Sequence, residues 1–255
     1  MTFDLTKFDL GAMLKCSPQL RSVAIGASTL EVSAQEVCRF LYDELRAPSG
    51  DRACALVRCY KTVSFSALEP DLQAFARGIL GREQPDPTMK CLTLMATRGQ
   101  SAAWNSRFLS RGHKAIPLPS PEIVEQAPMI AQLIKEFGLE LTSVLQPSPE
   151  LVRELSGKSY GVFHVEDALG SPYIPAQDFV KSYGIRSVLG CGGMLASGDL
   201  FAVILFATVH VSPSVADRFR SLALDVKAGF SRFAETKVFD RKTAVLGGVR
   251  RDSIV

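Results

Sequence analysis

Ile185-Arg-Ser-Val-Leu-Gly-Cys-Gly-Gly-Met-Leu195 is followed by Ala196-Ser-Gly-Asp199 and then by Leu200-Phe-Ala-Val-Ile-Leu-Phe-Ala-Thr-Val209. Two runs rich in β-branched and apolar residues, separated by four residues of turn type, predict an antiparallel hairpin. Glycines inside a strand mark a bulge or the close approach of a ligand or another backbone. Gly190, Gly192 and Gly193 therefore make the first strand unusual. The second strand is the most strongly apolar stretch of the chain and reaches only half a membrane span, so no transmembrane helix is implied. From about Pro213 to Phe233, Val215, Phe219, Leu222, Ala223, Val226, Phe230 and Phe233 recur at helical spacing and predict an amphipathic helix that packs on a core.

The same reading extends toward the N-terminus. Helical periodicity runs from about Asp9 to Val23, and a second helix is expected from the capping box Ser33-Ala-Gln-Glu36, with Val37, Leu41 and Leu45 in register. Ala53 to Val63 reads as a strand, with Cys54, Leu56, Arg58 and Tyr60 on one face and Ala55, Val57, Cys59 and Lys61 on the other. Pro70 to Leu80 is expected to be helical and Met89 to Thr97 a strand. Gly99 to Pro121 is polar and irregular, the kind of long connection that often forms a binding loop. A helix from Pro121 to Phe137 closed by Gly138, a strand from Leu139 to Leu145, a short helix after Pro149, and a strand from Tyr160 to Val165 complete the pattern. The expected fold class is α+β, with a central antiparallel sheet. Residues 1–236 are expected to form one domain and 237–255 a basic, flexible tail.

Composition narrows the function classes. The 255 residues carry 29 Lys and Arg against 26 Asp and Glu, a net charge of +3. That balance gives no electrostatic case for nucleic acid or an anionic membrane surface. Met1-Thr-Phe-Asp-Leu-Thr-Lys7 lacks the basic and apolar segments of a signal peptide, so a cytoplasmic protein is expected. Cys16, Cys38, Cys54, Cys59, Cys91 and Cys191 include no C-x-x-C pair and read as buried free thiols. On one regular strand, Cys54 and Cys59 would point to opposite faces and share no metal.

Several blocks together resemble a known family. They are Phe40-Leu-Tyr-Asp-Glu-Leu45, Ala53-Cys-Ala-Leu-Val-Arg58, Met89-Lys-Cys-Leu-Thr-Leu94, Trp104-Asn-Ser106, His113-Lys-Ala-Ile-Pro-Leu-Pro119, Phe163-His-Val165, Gly170-Ser-Pro-Tyr-Ile-Pro175, Tyr183-Gly-Ile-Arg-Ser-Val-Leu189 and Gly198-Asp-Leu-Phe-Ala-Val-Ile-Leu-Phe206. Over roughly residues 8 to 233 the chain resembles a GAF-like N-terminal sensory region of bacterial signalling proteins, found ahead of histidine-kinase or cyclase modules. The resemblance implies N- and C-terminal helices on one face of the sheet, ligand loops on the other, and a homodimer paired through the terminal helices. No kinase, cyclase or DNA-binding motif follows Phe233, so the chain is expected either to act alone or to regulate a separate signalling partner.

No P-loop, G-x-G-x-x-G or G-x-S-x-G motif is present, and the reading leans away from an enzyme. The expected function is small-molecule sensing. The candidate ligand-binding residues are Arg58, Tyr60, Trp104, His113, His164, Tyr173, Arg186 and Cys191, because a pocket for an organic ligand needs aromatic walls and a few directed polar groups. Arginine suits a carboxylate or phosphate. Against this, Trp104 and Tyr173 can simply pin long loops, and the arginines can pair with Glu166 or Asp199. Two alternatives stand beside it. One is a redox switch or redox enzyme through Cys191, perhaps with Cys59 or Cys91. The other is a haem-based gas sensor through His113 or His164; haem iron or zinc could use these histidines, but no H-x-x-x-H or Cys/His spacing supports a metal, and the cofactor stays open.

Overall fold

The computed structural model describes residues 1–155, 160–233 and 237–240. A two-residue strand β1 (Phe3–Asp4) leads into helix α1 (Leu10–Ile25), which Asp9 caps by accepting from Ala12 N–H. Helix α2 (Leu30–Glu44) begins earlier than the capping box predicts. Thr29 caps it, and Ser33 is buried within it, donating to the Ala24 carbonyl at 2.8 Å. That tertiary partner outcompetes the local cap. Strand β2 (Leu45–Arg46) pairs with β1, and β3 (Cys54–Ser64) follows. Helix α3 (Pro70–Leu80) ends at Gly81, whose φ of 63° gives the left-handed stop that glycine favours. Strand β4 (Lys90–Gly99) comes next.

The stretch read as irregular contains strand β5 (Ala115–Leu118). It lies at the sheet edge, where Pro117 removes no central ladder bond. The helix expected from Pro121 to Phe137 is two helices, α4 (Pro121–Glu125) and α5 (Pro128–Glu136). Pro128 restarts the chain, and Ala127 before it is held out of helical geometry. The strand expected over Leu139 to Leu145 is instead helix α6 (Leu141–Leu145), since a short apolar run carries no period that separates the two states. Helix α7 (Pro149–Leu155), strand β6 (Tyr160–Val165), helix α8 (Gln177–Ser182), strands β7 (Ser187–Met194) and β8 (Leu200–Ala207), and helix α9 (Pro213–Phe230) complete the described chain.

Six of the strands form one antiparallel sheet in the order β5-β4-β3-β8-β7-β6. One face packs on α1, α2 and α9, and the other on α4 to α8. The protein is α+β, and its N- and C-terminal helices share a face, as the resemblance implies. The terminal helices run parallel, since Phe8 stacks on Phe219 and Ala24 abuts Gly229. Asp225 of α9 is buried between them, accepting from Ser17 Oγ at 2.6 Å and Arg21 Nε at 2.9 Å.

Two bulges set which side chains reach which face. β3 carries Ala55 as an extra residue against β8, and β4 carries Met95 as an extra residue against β3. An inserted residue reverses the alternation beyond it. Cys54 and Cys59 consequently lie on the same, helix-covered face, not on opposite ones. Residues 237–240, assigned from sequence to the tail, pack back on α2. Val238 is buried, its carbonyl accepts from Glu31 N–H at 2.9 Å, and Asp240 N–H donates to Glu31 Oε2 at 2.9 Å. The rest of the expected tail, 241–255, lies outside the described residues.

Candidate functional site

Arg58 stands mid-strand on β3, on the face turned away from the terminal helices. Its Nη1 donates to Tyr60 Oη at 3.2 Å, and its Nη2 reaches Ser110 Oγ at 3.4 Å. Ser110 in turn donates to the Gly112 carbonyl at 3.0 Å, and Lys114 Nζ to the Phe108 carbonyl at 3.0 Å, which folds the 104–114 loop over the arginine. His113 follows in that loop with φ 58°, the single non-glycine residue at positive φ among the described residues. Strained backbone of this kind persists only where its surroundings hold it. Directly across from Arg58 on β4 is Thr97. Arg58 Nε and Thr97 Oγ1 are both buried and make no hydrogen bond among the described residues.

An aromatic wall adjoins this group. Trp104 lies 4.5 Å from Tyr183 and 5.7 Å from Phe179, and Phe179 meets Phe206 edge-on at 5.2 Å. Leu56 pairs with both Gly99 and Phe206, which sets the wall one step along the same sheet face from Arg58. The loop is anchored from below by Arg107, which is buried and grips Glu31 at the start of α2 through Nε at 2.6 Å, and also Glu69 ahead of α3. Burial raises the Glu31 pKa against the opposing pull of Arg107. Arg107 has no sequence signature, since it is one arginine in a polar stretch.

The structure thus brings together Arg58, Tyr60 and His113, with Trp104 beside them, and adds Ser110 and Thr97. The other four candidates lie elsewhere. His164 is on the helix-covered side of β6 and donates through Nε2 to the Val211 carbonyl at 2.8 Å. Tyr173 sits on an open groove with residues of α4 to α6, its ring 6.5 Å from Phe163. Arg186 is exposed just ahead of β7. Cys191 is 1% exposed on the helix-covered face, between Val162 and Val203. Nor do the arginines pair with Asp199 or Glu166: Asp199 binds Lys61 and Lys90, and Glu166 lies 3.1 Å from His210.

All six cysteines are buried. Burial pushes the Cys16, Cys54, Cys91 and Cys191 thiols up to about 12, and Cys38 and Cys59 rise as well. Such thiols are neutral and shielded, the opposite of the exposed thiolate that redox chemistry needs. His113 and His164 are on opposite sheet faces, and no cluster of three or more His, Cys, Asp or Glu able to hold a metal occurs among the described residues. Among the described residues, no helix is long and apolar enough to cross a membrane.

Crowding by neighbouring atoms, and then the Arg58 charge, hold the His113 pKa below the usual histidine value, although the residue reaches the surface. Burial likewise lowers His164, against the pull of the Val211 carbonyl. A histidine depressed in the folded state takes up protons first in the unfolded chain. Stability is therefore expected to fall as pH drops below about 6.5, the unfolded value. His164→Gln keeps a donor for the Val211 carbonyl and removes the titration. Urea denaturation between pH 7.5 and 5.5 is expected to show a flatter profile for that variant than for wild type.

No family model and no curated protein matches the chain. Among solved structures, it is similar to the GAF domain of a phosphoenolpyruvate-protein phosphotransferase from Coxiella burnetii, with 13% identity, a TM-score of 0.46, and coverage of 86% of this chain and 93% of that one.

Proposed function

We propose that this chain is a small-molecule-sensing, GAF-like signal-transduction domain that binds its ligand at Arg58 and acts through a partner. The observation that carries the reading is the group formed by Arg58 and Thr97. Arg58 Nε and, on its cross-strand partner, Thr97 Oγ1 are buried and make no hydrogen bond among the described residues, beside a loop with a residue at positive φ. Unpaired buried polar groups cost free energy, and a ligand that supplies the missing hydrogen bonds recovers it. The guanidinium favours a carboxylate or phosphate, and Tyr60, Ser110 and the Trp104 wall suit an organic body. Protonation of His113 would add a second positive charge beside Arg58.

The partners follow from the opposite face. Leu10 and Leu14 on α1 and Leu224 on α9 are exposed apolar residues on the two packed terminal helices. We read them as the contact with a second copy of the chain, from which the ligand signal passes to an output protein. Buried, unpaired thiols agree with a reducing, cytoplasmic setting.

Native mass spectrometry of the full chain, purified without added ligand, tests both parts. Wild type is expected as a doubled species with one extra mass per chain. Arg58→Leu is expected to lose the extra mass and keep the doubling, and Leu14→Glu to do the reverse. An added mass that Arg58→Leu leaves undiminished, or wild type that stays bare even after incubation with a small-metabolite extract, overturns the sensor reading.

A further inference from the structure

A second polar feature lies at the other end of β4. A cleft of about 300 Å³ opens between the α3–β4 loop, the end of β5 and helix α6. That volume is at the lower end of small-molecule sites. Arg82 and Lys90 bring positive charge to its wall, with the Thr142 hydroxyl and the amide of Gln146, while the Thr88 and Ser120 hydroxyls are already engaged by Asp86 and Glu122. Its one lining acid, Asp86, accepts from Thr88 N–H and O–H through Oδ1 at 2.8 and 2.7 Å. Arg82 makes no ion pair among the described residues. Leu80, Met89, Leu118 and Leu145 supply an apolar side.

Lys90 also belongs to a buried chain of charges. Its Nζ donates to Asp199 Oδ1 at 2.8 Å, and Asp199 Oδ2 accepts from Lys61 Nζ at 2.5 Å. Lys61 lies on the helix-covered side, in a small gap with Leu30 of α2, Phe230 and Ser231 at the end of α9, and Phe233. One carboxylate therefore joins a cation on the cleft wall to a cation beneath the last turn of the C-terminal helix.

We propose that this cleft binds a small amphipathic organic anion through Arg82 and Lys90, and that drawing Lys90 from Asp199 shifts the Asp199–Lys61 pair and with it the end of α9. The site is separate from the Arg58 group. Lys90 and Thr97 are seven residues apart on one strand, roughly 23 Å. A carboxylate and a phosphate ester share the recognised chemistry.

The full chain is titrated calorimetrically with hexanoate, hexyl phosphate and neutral hexanol, and hydrogen exchange is followed in parallel. At least one anion is expected to bind and hexanol is not; the tighter anion identifies the headgroup. Exchange is expected to slow across 82–90 and 118–121 and to change across 226–233. Arg82→Gln, at an exposed position, is expected to weaken binding by about tenfold or more, the scale of a lost charge-assisted contact. Lys90→Gln should abolish the change at 226–233, whereas Arg58→Leu should alter neither result. Three outcomes overturn the proposal: no anion binds, hexanol binds as well as the anions, or exchange at 226–233 is unmoved by a bound anion. None of them bears on the Arg58 site, whose test is the added mass.

Discussion

Asp199→Ala is expected to cost about 3–5 kcal/mol of folding free energy, the scale on which one partner is removed from a buried ion pair. Asp199 and Lys61 are only 3% and 4% exposed, and Lys90 shares the same carboxylate. Ser197 Oγ also donates to it at 2.9 Å, and Thr62, whose hydroxyl accepts from Leu200 N–H at 2.9 Å, lies alongside. Alanine would remove the carboxylate that holds two ammonium groups together; Lys61 lies where water is excluded and could not recover its hydration, whereas Lys90 opens onto the cleft. The loss should show as a lower urea midpoint with an unchanged slope. Lys61→Met in the Asp199→Ala background is expected to restore part of it, because the buried charge leaves with its counterion. A cost below about 1 kcal/mol would put the pair among weak surface bridges and sink the argument. Burial opposes ionisation of Asp199, but the two lysines outweigh it and hold the carboxyl below its usual value. A depressed acid contributes stability above its unfolded value, about 3.9. That contribution is lost as pH falls through the folded value, so the network is expected to persist through mildly acidic conditions.

What the sequence shows of this network explains what it shows of the fold. Gly198 and Asp199 are legible as a hairpin turn, and the structure uses them so, with Gly198 at φ 81° and Leu195 N–H bonded to the Asp199 carbonyl at 2.8 Å. The second task of Asp199 is invisible, because its partners lie 138 and 109 positions away and long-range pairing leaves no local pattern. The same division holds elsewhere. α3, α9 and the β7–β8 pair carry strong periodicity and lie near their expected places, whereas β5 and α6 are too short for any period to fix their state. At the candidate site, Arg58 is legible because an arginine among apolar strand neighbours is anomalous. Ser110 and Thr97 are ordinary residues whose role comes from the register of β4 and the path of the loop. Alternation along β3 fails at Ala55, since a bulge is a property of the strand pair and not of either sequence. Asp225 is equally illegible: nothing in its own helix marks this charged residue as buried, and its partners Ser17 and Arg21 lie on α1.

Gly192→Ala and Gly161→Ala are each expected to destabilise by about 3 kcal/mol or to prevent folding, at or beyond the upper end of overpacking costs. The two glycines are direct cross-strand partners on β7 and β6. A methyl on Gly192 would lie 2.1 Å from the Phe201 carbonyl oxygen and 2.7 Å from the Phe137 ring. One on Gly161 would lie 2.2 Å from the Glu136 carbonyl oxygen and 2.7 Å from Phe137 Cα. These obstacles are mainly backbone, and backbone bonded into a sheet or closing a helix moves only at the expense of its hydrogen bonds. The sequence leaves three readings of the glycine-rich strand: a bulge, a ligand, or another backbone. β7 pairs with both neighbours without a register shift; the approaching group is the end of α5 at Gly161, and at Gly192 both the Phe137 ring and the β8 backbone at Phe201 and Ala202. Gly190 supplies the control. Its added methyl would meet Leu133 and Phe163 side chains at 3.4 Å, near ordinary contact, so Gly190→Ala is expected to change stability by no more than about 1 kcal/mol. Chemical denaturation of the three variants decides the matter. Equal, mild effects at all three positions would mean that α5 does not rest on the sheet at this depth. A selective loss at 161 and 192 would mean that the paired glycines are what let α5 close on the sheet face that carries Arg58.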